Sequence, residues 1–218
     1  GDPDQAIGNI VTDTRSLQLG DFFIALRGAR FDGHQFVDEA FRLGAMGAII
    51  EAGATNVGAD LKVGSYSGRH AIVEVADTTV ALQDLAHAVR EATETKVVAI
   101  TGSAGKTTTK DTIADFLSES FRVVKNKGNL NNHIGLPLSL MQLRDRPDVA
   151  VMELGMNHAG EISRLVAIAD PDVRVWTNVG DAHLGFFESA DAIADAKAEI
   201  LELAEPHDVL VCSADDPR

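Results

Sequence analysis

The chain has 218 residues, 45% of them hydrophobic and only 5% aromatic, enough for one large or two small globular domains. A formal net charge of −14 argues against general nucleic-acid or anionic-membrane binding, while leaving room for a local basic pocket for phosphates. The single cysteine, Cys212, excludes an internal disulfide and fits a reducing, cytoplasmic setting. No signal peptide and no apolar run of membrane-spanning length is found.

Residues 1–79 read as a small α/β unit. Ile10-Val11 leads into Thr12-Asp13-Thr14-Arg15-Ser16, and the turn signal Gly20-Asp21 precedes an apolar strand, Phe22–Leu26. The loop Arg27–His34 (RGARFDGH) carries two glycines and mixed charge. A helix is expected over Gln35–Leu43, with Phe36, Ala40 and Leu43 on one face, followed by strands Met46–Ile50 and Ala71–Val75. Taken individually, Asp13 and Thr14 read as turn formers or caps.

A helix over Val80–Glu94, with Leu82, Leu85, Ala86 and Val89 on one stripe, opens the second domain, residues 80–218. Strands and helices alternate from there, which implies a parallel sheet with right-handed crossovers. The expected strands are Val97–Ile100, Phe121–Val124, Val149–Leu154, Val173–Asn178 and Asp208–Cys212. The expected helices start near Thr107, Gly135, Gly160 and Ala190. The first residue is not Met and the last strand is followed at once by the end of the chain, so both ends read as trimmed. In open α/β sheets ligands sit at the carboxyl ends of the strands, and the unusual residues of this chain cluster there.

The stretch Lys96–Lys110 (KVVAITGSAGKTTTK) has the order buried strand, glycine loop, helix start. Gly102 and Gly105 allow tight turns, and successive amides at a helix N-terminus attract phosphate. Lys106 can neutralise β- and γ-phosphate charge, and the Thr107 hydroxyl suits a Mg²⁺ shell of hard oxygen ligands. The full G-x-x-x-x-G-K-[ST] pattern is not met, because Ile100 stands at its first glycine. Behind the loop, Ile113, Phe116 and Leu117 are expected to form the buried helix face.

Three further strand ends carry polar chemistry. Glu153 closes strand Val149–Leu154 across from the glycine loop, where a carboxylate can bind Mg²⁺ directly or through water; the alternative is an ion pair with a neighbouring cation. His183 follows strand Val173–Asn178 on a glycine turn. The segment Lys125–Pro137 (KNKGNLNNHIGLP) holds four asparagines and two glycines, suited to hydrogen bonding a polar substrate or to being a plain polar loop. Lys197, alone, reads as a solvated helix lysine.

Taken together, TGSAGKTTTK, NKGNLNNHIGLPLSL, ELGMNHAGEI, NVGDAHLGFF and AKAEIL, in this order, resemble the Mur ligases, and TDTRSLQLGDFFIALRGARFDGHQFVDEAF resembles that family's UDP-sugar-binding domain. The branch most resembled adds D-alanyl-D-alanine to a UDP-N-acetylmuramoyl tripeptide in peptidoglycan precursor synthesis. The resemblance implies an N-terminal UDP-sugar-binding domain followed by a P-loop-type parallel-sheet ATPase domain, incomplete at its C-terminal end. It implies ATP and Mg²⁺ as cofactors, and an acyl phosphate that an incoming amine attacks.

By motif, Gly102, Ser103, Ala104, Gly105, Lys106, Thr107, Thr108 and Asn129 would bind the nucleotide. Thr107, Glu153, His183 and Lys197 would hold metal, Lys197 after carbamylation, and Lys106, Glu153, His183 and Lys197 would be catalytic. Thr14, Arg15, Asp32, Gly33, His34, Asn131 and Asn132 would contact the UDP-linked substrate. Thr14 stands where Ser is usual in the family, and Ala198 where Gly is common. The segments expected to bind adenine and D-alanyl-D-alanine are not in the chain, so these 218 residues alone are expected not to catalyse ligation. Two alternatives are a related ligase that adds another amino acid, and a non-catalytic nucleotide- or UDP-binding module.

Overall fold

The computed structural model describes residues 7–28, 31–54, 70–180 and 187–216. They form two compact units, divided between Leu82 and Gln83. The first holds a four-stranded parallel sheet in the order β1-β2-β5-β6, from β1 (Ile10–Val11), β2 (Phe22–Ile24), β5 (Gly47–Glu51) and β6 (Ala71–Val75). A separate antiparallel hairpin pairs β3 (Arg27–Gly28) with β4 (Phe31–Asp32). A 3-10 turn at Gly33–Phe36 leads into α1 (Val37–Arg42). Phe23, Val37, Ala40, Phe41, Ala48 and Ile50 form the core between sheet and helix. The expected apolar face of this helix is therefore displaced: Leu43 is 48% exposed, and Val37 and Phe41 take the inner positions.

Helix α2 (Thr78–Glu91) runs across the division. The second unit holds a five-stranded parallel sheet in the order β11-β10-β7-β9-β8. Its strands are β7 (Lys96–Thr101), β8 (Val123–Lys125), β9 (Val149–Glu153), β10 (Val173–Trp176) and β11 (Val209–Cys212). Between them lie α3 (Lys106–Ser118), α4 (Gly135–Leu140), α5 (Glu161–Ala169) and α6 (Ala190–Ala198). The central strands β7 and β9 are the most apolar, as strands covered on both faces should be, and Val97, Ala99, Ile100, Ala150, Val151 and Met152 are fully buried. Both sheets are parallel, as the strand–helix alternation implies.

On α3 the inner face differs from expectation. Lys110 and Ala114 are buried and Ile113 and Leu117 pack on the core, but Phe116 is 77% exposed. At about 100° per residue Phe116 points about 200° away from Ala114, so it cannot share that face. Three of the four buried lysines and arginines among the described residues bind backbone carbonyls in an otherwise apolar core. Arg174 donates to Ile200 O (2.9 Å), Pro171 O (2.6 Å) and Asp208 (2.6 Å). Arg90 binds Ala169 O, Asp170 O and Asp172. Lys110 donates to Asn126 O at 3.0 Å.

Candidate active site

The carboxyl end of β7 runs directly into the glycine loop. Gly102 has φ +147°, and a Cβ there would lie 1.9 Å from Thr177 Oγ1, so no side chain fits without displacing the neighbouring strand end. Gly105 caps α3 in the left-handed region, φ +82°, with open space around the position a Cβ would take. The first intrahelical bond runs from Thr109 N to Gly105 O (2.8 Å). The amides of Lys106, Thr107 and Thr108 therefore have no acceptor within the helix, the usual source of anion affinity at an N-terminus.

Asn178, just past β10, fixes the shape of the loop. Its carbonyl accepts from Ser103 N (3.0 Å), its Oδ1 accepts from Ala104 N (3.0 Å), and its Nδ2 donates to Ala104 O (3.1 Å). Ser103 Oγ donates to Gly180 O at 3.1 Å. The amides of Ser103 and Ala104 are thus engaged within the protein, whereas those of Lys106–Thr108 at the helix start are open to an anion. Sequence reasoning saw Asn178 only as a strand-end residue; its place opposite the glycine loop was the available signal.

Glu153 is 4% exposed and both its carboxylate oxygens are held. Thr107 Oγ1 donates to Oε2 at 2.7 Å and Asn131 Nδ2 donates to Oε1 at 2.8 Å. Lys106 Nζ donates to Gly102 O at 2.7 Å. Burial pushes the Lys106 ammonium below its ordinary pKa, and the Glu153 carboxylate opposes that shift. Lys106, Glu153, Asn129, Asn131 and Asn132 line one cavity of about 390 Å³ with Gly155, Asn157 and Glu161. Asn132 also serves the backbone, its Oδ1 accepting from Ile134 N (3.1 Å) and Gly135 N (2.8 Å) at the start of α4.

Lys197 on α6 is 1% exposed, not the solvated lysine its local sequence suggests. Burial first, and the Lys106 charge second, push its pKa down to about 8. Among the described residues it makes no ion pair. Two residues on, Glu199 accepts from Gly160 N (2.6 Å) and Ser163 N (3.0 Å), fastening this stretch to the start of α5. His183 lies outside the described residues.

The donor set fits a magnesium–nucleotide polyphosphate. A hydroxyl and a carboxylate oxygen 2.7 Å apart are hard ligands, and Mg²⁺ needs only one or two from protein when phosphates and waters complete the octahedron. Among the described residues no group of three or more His, Cys, Asp or Glu side chains is arranged as an all-protein metal cage.

In the first unit, Thr14 and Arg15 line a separate cavity of about 600 Å³ with Thr12, Asp13, Phe23, Phe31, Phe36 and Glu39. Phe31 and Phe36 stack with ring centroids 5.4 Å apart. Asp13 caps the Thr14–Ser16 turn and binds the Arg15 guanidinium, which holds its carboxyl down to about 2. Asp32, Gly33 and His34 do not line this cavity. His34 is buried, with Nδ1 against Asp32 Oδ1 (2.6 Å) and Nε2 accepting from Glu51 N (2.9 Å). A Cβ on Gly33 would lie 2.7 Å from Leu26 O, so that glycine is required by packing.

A glycine turn between a buried strand and a helix, a Lys-Thr pair at the helix start and a strand-end carboxylate define an α/β nucleotide-binding protein of the phosphate-loop type. More narrowly, the chain belongs to the Mur ligase family: residues 100–218 match the Mur ligase middle domain, and residues 6–94 match the Mur ligase family catalytic domain. The UDP-N-acetylmuramoyl-tripeptide–D-alanyl-D-alanine ligase of Bacillus subtilis is 43% identical over 211 residues, covering 97% of this chain and 44% of that protein. The crystal structure of MurF from Acinetobacter baumannii superposes with a TM-score of 0.85 at 39% identity, covering 99% of this chain and 45% of that one. MurF from Thermotoga maritima, solved in complex with ADP, gives 0.82 at 37% identity over 96% of this chain and 46% of that one. The chain thus spans a little under half the length of these relatives.

Proposed function

We propose that this chain carries the ATP site and the UDP-sugar site of an ADP-forming ligase that joins D-alanyl-D-alanine to a UDP-N-acetylmuramoyl tripeptide in the cytoplasm. The carrying observation is the convergence of Lys106, Glu153 and Asn131 on one cavity beside the glycine loop, with the Thr107 hydroxyl hydrogen-bonded to Glu153. Bound Mg·ATP supplies the phosphoryl group that turns the substrate carboxylate into an electrophile. The protein's part is positioning and charge. The amides of Lys106–Thr108 and the Lys106 ammonium orient the β- and γ-phosphates. Thr107 and Glu153 would hold the Mg²⁺, which would supply charge neutralisation for the phosphates, and Asn131 holds the Glu153 carboxylate. Asn129 and Asn132 hydrogen-bond the nucleotide and the UDP-linked substrate.

Lys197, carbamylated, would serve with His183 at a second Mg²⁺. Burial favours the neutral amine that reacts with CO₂, and the product offers oxygen ligands in place of a cation. In the first unit, the aromatic wall of Phe31 and Phe36 suits a base or sugar face, and the exposed Arg15 guanidinium suits a diphosphate. Asp32, Gly33 and His34 contribute by holding the hairpin and β5 rather than by contact. Family membership and the relatives' names support the choice of dipeptide as acceptor. The test is ADP release by the full-length ligase that carries this chain, with UDP-N-acetylmuramoyl tripeptide and either D-alanyl-D-alanine or single amino acids. The dipeptide is expected to be the productive acceptor. Turnover with a single amino acid instead would assign a different ligase, and binding of nucleotide with no turnover for any acceptor would favour a binding module.

A further inference from the structure

Asn126 is 1% exposed, and its side-chain amide is fully engaged around Glu153. Its Oδ1 accepts from Glu153 N (3.0 Å), and its Nδ2 donates to Glu153 O (3.0 Å) and to Leu130 O (2.9 Å). Main-chain pairing explains why the amide is needed there. Strand β8 pairs with β9 only as far as Lys125↔Val151, whereas β7 continues to Ile100↔Glu153. Beyond Val151 the outer side of β9 would lose its ladder, and a side-chain amide takes the place of the missing strand. The same amide reaches Leu130, next to Asn131, whose Nδ2 holds Glu153 Oε1.

Asn126 is itself held from α3. Lys110, with a side chain 3% exposed, donates to Asn126 O at 3.0 Å. Its nearest carboxylate, Asp111, is 3.9 Å away and pairs more closely with Lys125 at 3.0 Å. Lys110 stands one helical turn after Lys106, on the same side of the helix that presents Lys106 to the cavity. One helix therefore sets the phosphate-binding lysine, the hydroxyl on Glu153 Oε2 and, through Asn126, the backbone of Glu153.

We propose that Asn126, pinned by Lys110, is a positioning residue that fixes the Glu153 carboxylate for Mg²⁺ when nucleotide binds. The inference rests on the metal role proposed above for Glu153. Groups that orient a metal ligand typically change metal affinity about 10–100-fold when removed. The experiment is calorimetric titration of the protein with ADP, in MgCl₂ and separately in EDTA, for wild type, Asn126→Ala, Lys110→Met, Glu153→Gln and Asn126→Ala/Glu153→Gln. Asn126→Ala and Lys110→Met are each expected to lose about tenfold or more of the affinity gained with Mg²⁺, and to bind ADP in EDTA like wild type. In the Glu153→Gln background Asn126→Ala should have no further effect.

Equal losses with and without Mg²⁺ would mean that the amide merely supports the fold, and would overturn the proposal. So would an unchanged Mg²⁺ gain in Asn126→Ala and Lys110→Met while Glu153→Gln abolishes it, which would leave the metal role of Glu153 standing. An unchanged Mg²⁺ gain in Glu153→Gln itself would remove that role and the proposal with it. Should Asn126→Ala fail to fold, Lys110→Met reads the same coupling through the residue that pins it.

Discussion

At the scale of single residues, Lys197 shows how position overrides type. An ordinary lysine titrates near 10.5; burial and the Lys106 charge bring this one to about 8. At pH 7.5 about a quarter of the molecules then carry the neutral amine, against on the order of one in a thousand for an unperturbed lysine. Carbamylation joins the amine nitrogen to the carbon of CO₂ and releases one proton, so it should rise with pH through about 8. NMR with ¹³C-labelled CO₂ is expected to show a carbamate signal with that midpoint, absent in Lys197→Ala; a signal unaffected by the substitution would assign it elsewhere. The same shift fixes the sign of a stability effect. Between about 8 and 10.5 the unfolded chain binds more protons at this site than the folded one. The contribution of Lys197 to stability therefore rises with pH across that window and is least favourable below it.

At the scale of elements, the strand–loop–helix unit was legible because its pieces are local. β-branched residues mark β7, glycines mark the turn, and Lys106-Thr107 mark the start of α3. The bounds of β8 moved from Phe121–Val124 to Val123–Lys125, since a short edge strand gets its register from β9 and not from its own composition. The buried cations and amides were not legible. Lys110, Asn126 and Arg174 look like surface residues in a linear pattern, and only the topology supplies the backbone carbonyls that satisfy them. The two glycines of the loop are expected to separate on substitution. Gly105→Ala meets no atom within 4 Å and costs only the left-handed backbone, about 1–2 kcal/mol. Gly102→Ala must also displace Thr177 Oγ1 from 1.9 Å, and should cost more, about 3 kcal/mol or above. Urea denaturation of the two variants checks the order; Gly102→Ala as stable as Gly105→Ala would contradict the packing described.

At the scale of the whole molecule, two α/β units each carry a cavity of different character. The cavity of the first is walled by aromatic rings with Arg15 beside them, and that of the second is polar, with Lys106 and Glu153 at the carboxyl ends of parallel strands. The order of motifs along the chain made the family legible; Glu153 already stood out as a strand-end carboxylate across from the glycine loop, while the family pointed to Lys197, which alone reads as a solvated lysine. What the linear pattern could not supply was the division of labour inside each motif. Ser103 and Ala104 shape the loop through Asn178, His34 and Gly33 are packed beneath the hairpin, and Asn131 faces the carboxylate while Asn132 caps α4. If the second unit is the nucleotide site, one measurement tests it most directly: calorimetric titration of Lys106→Ala and Arg15→Ala with ADP in MgCl₂. Loss of the charge-assisted contact in Lys106→Ala should weaken binding about 10–100-fold, with Arg15→Ala unchanged from wild type. Wild-type affinity in Lys106→Ala, or an equal loss in both variants, would contradict the account.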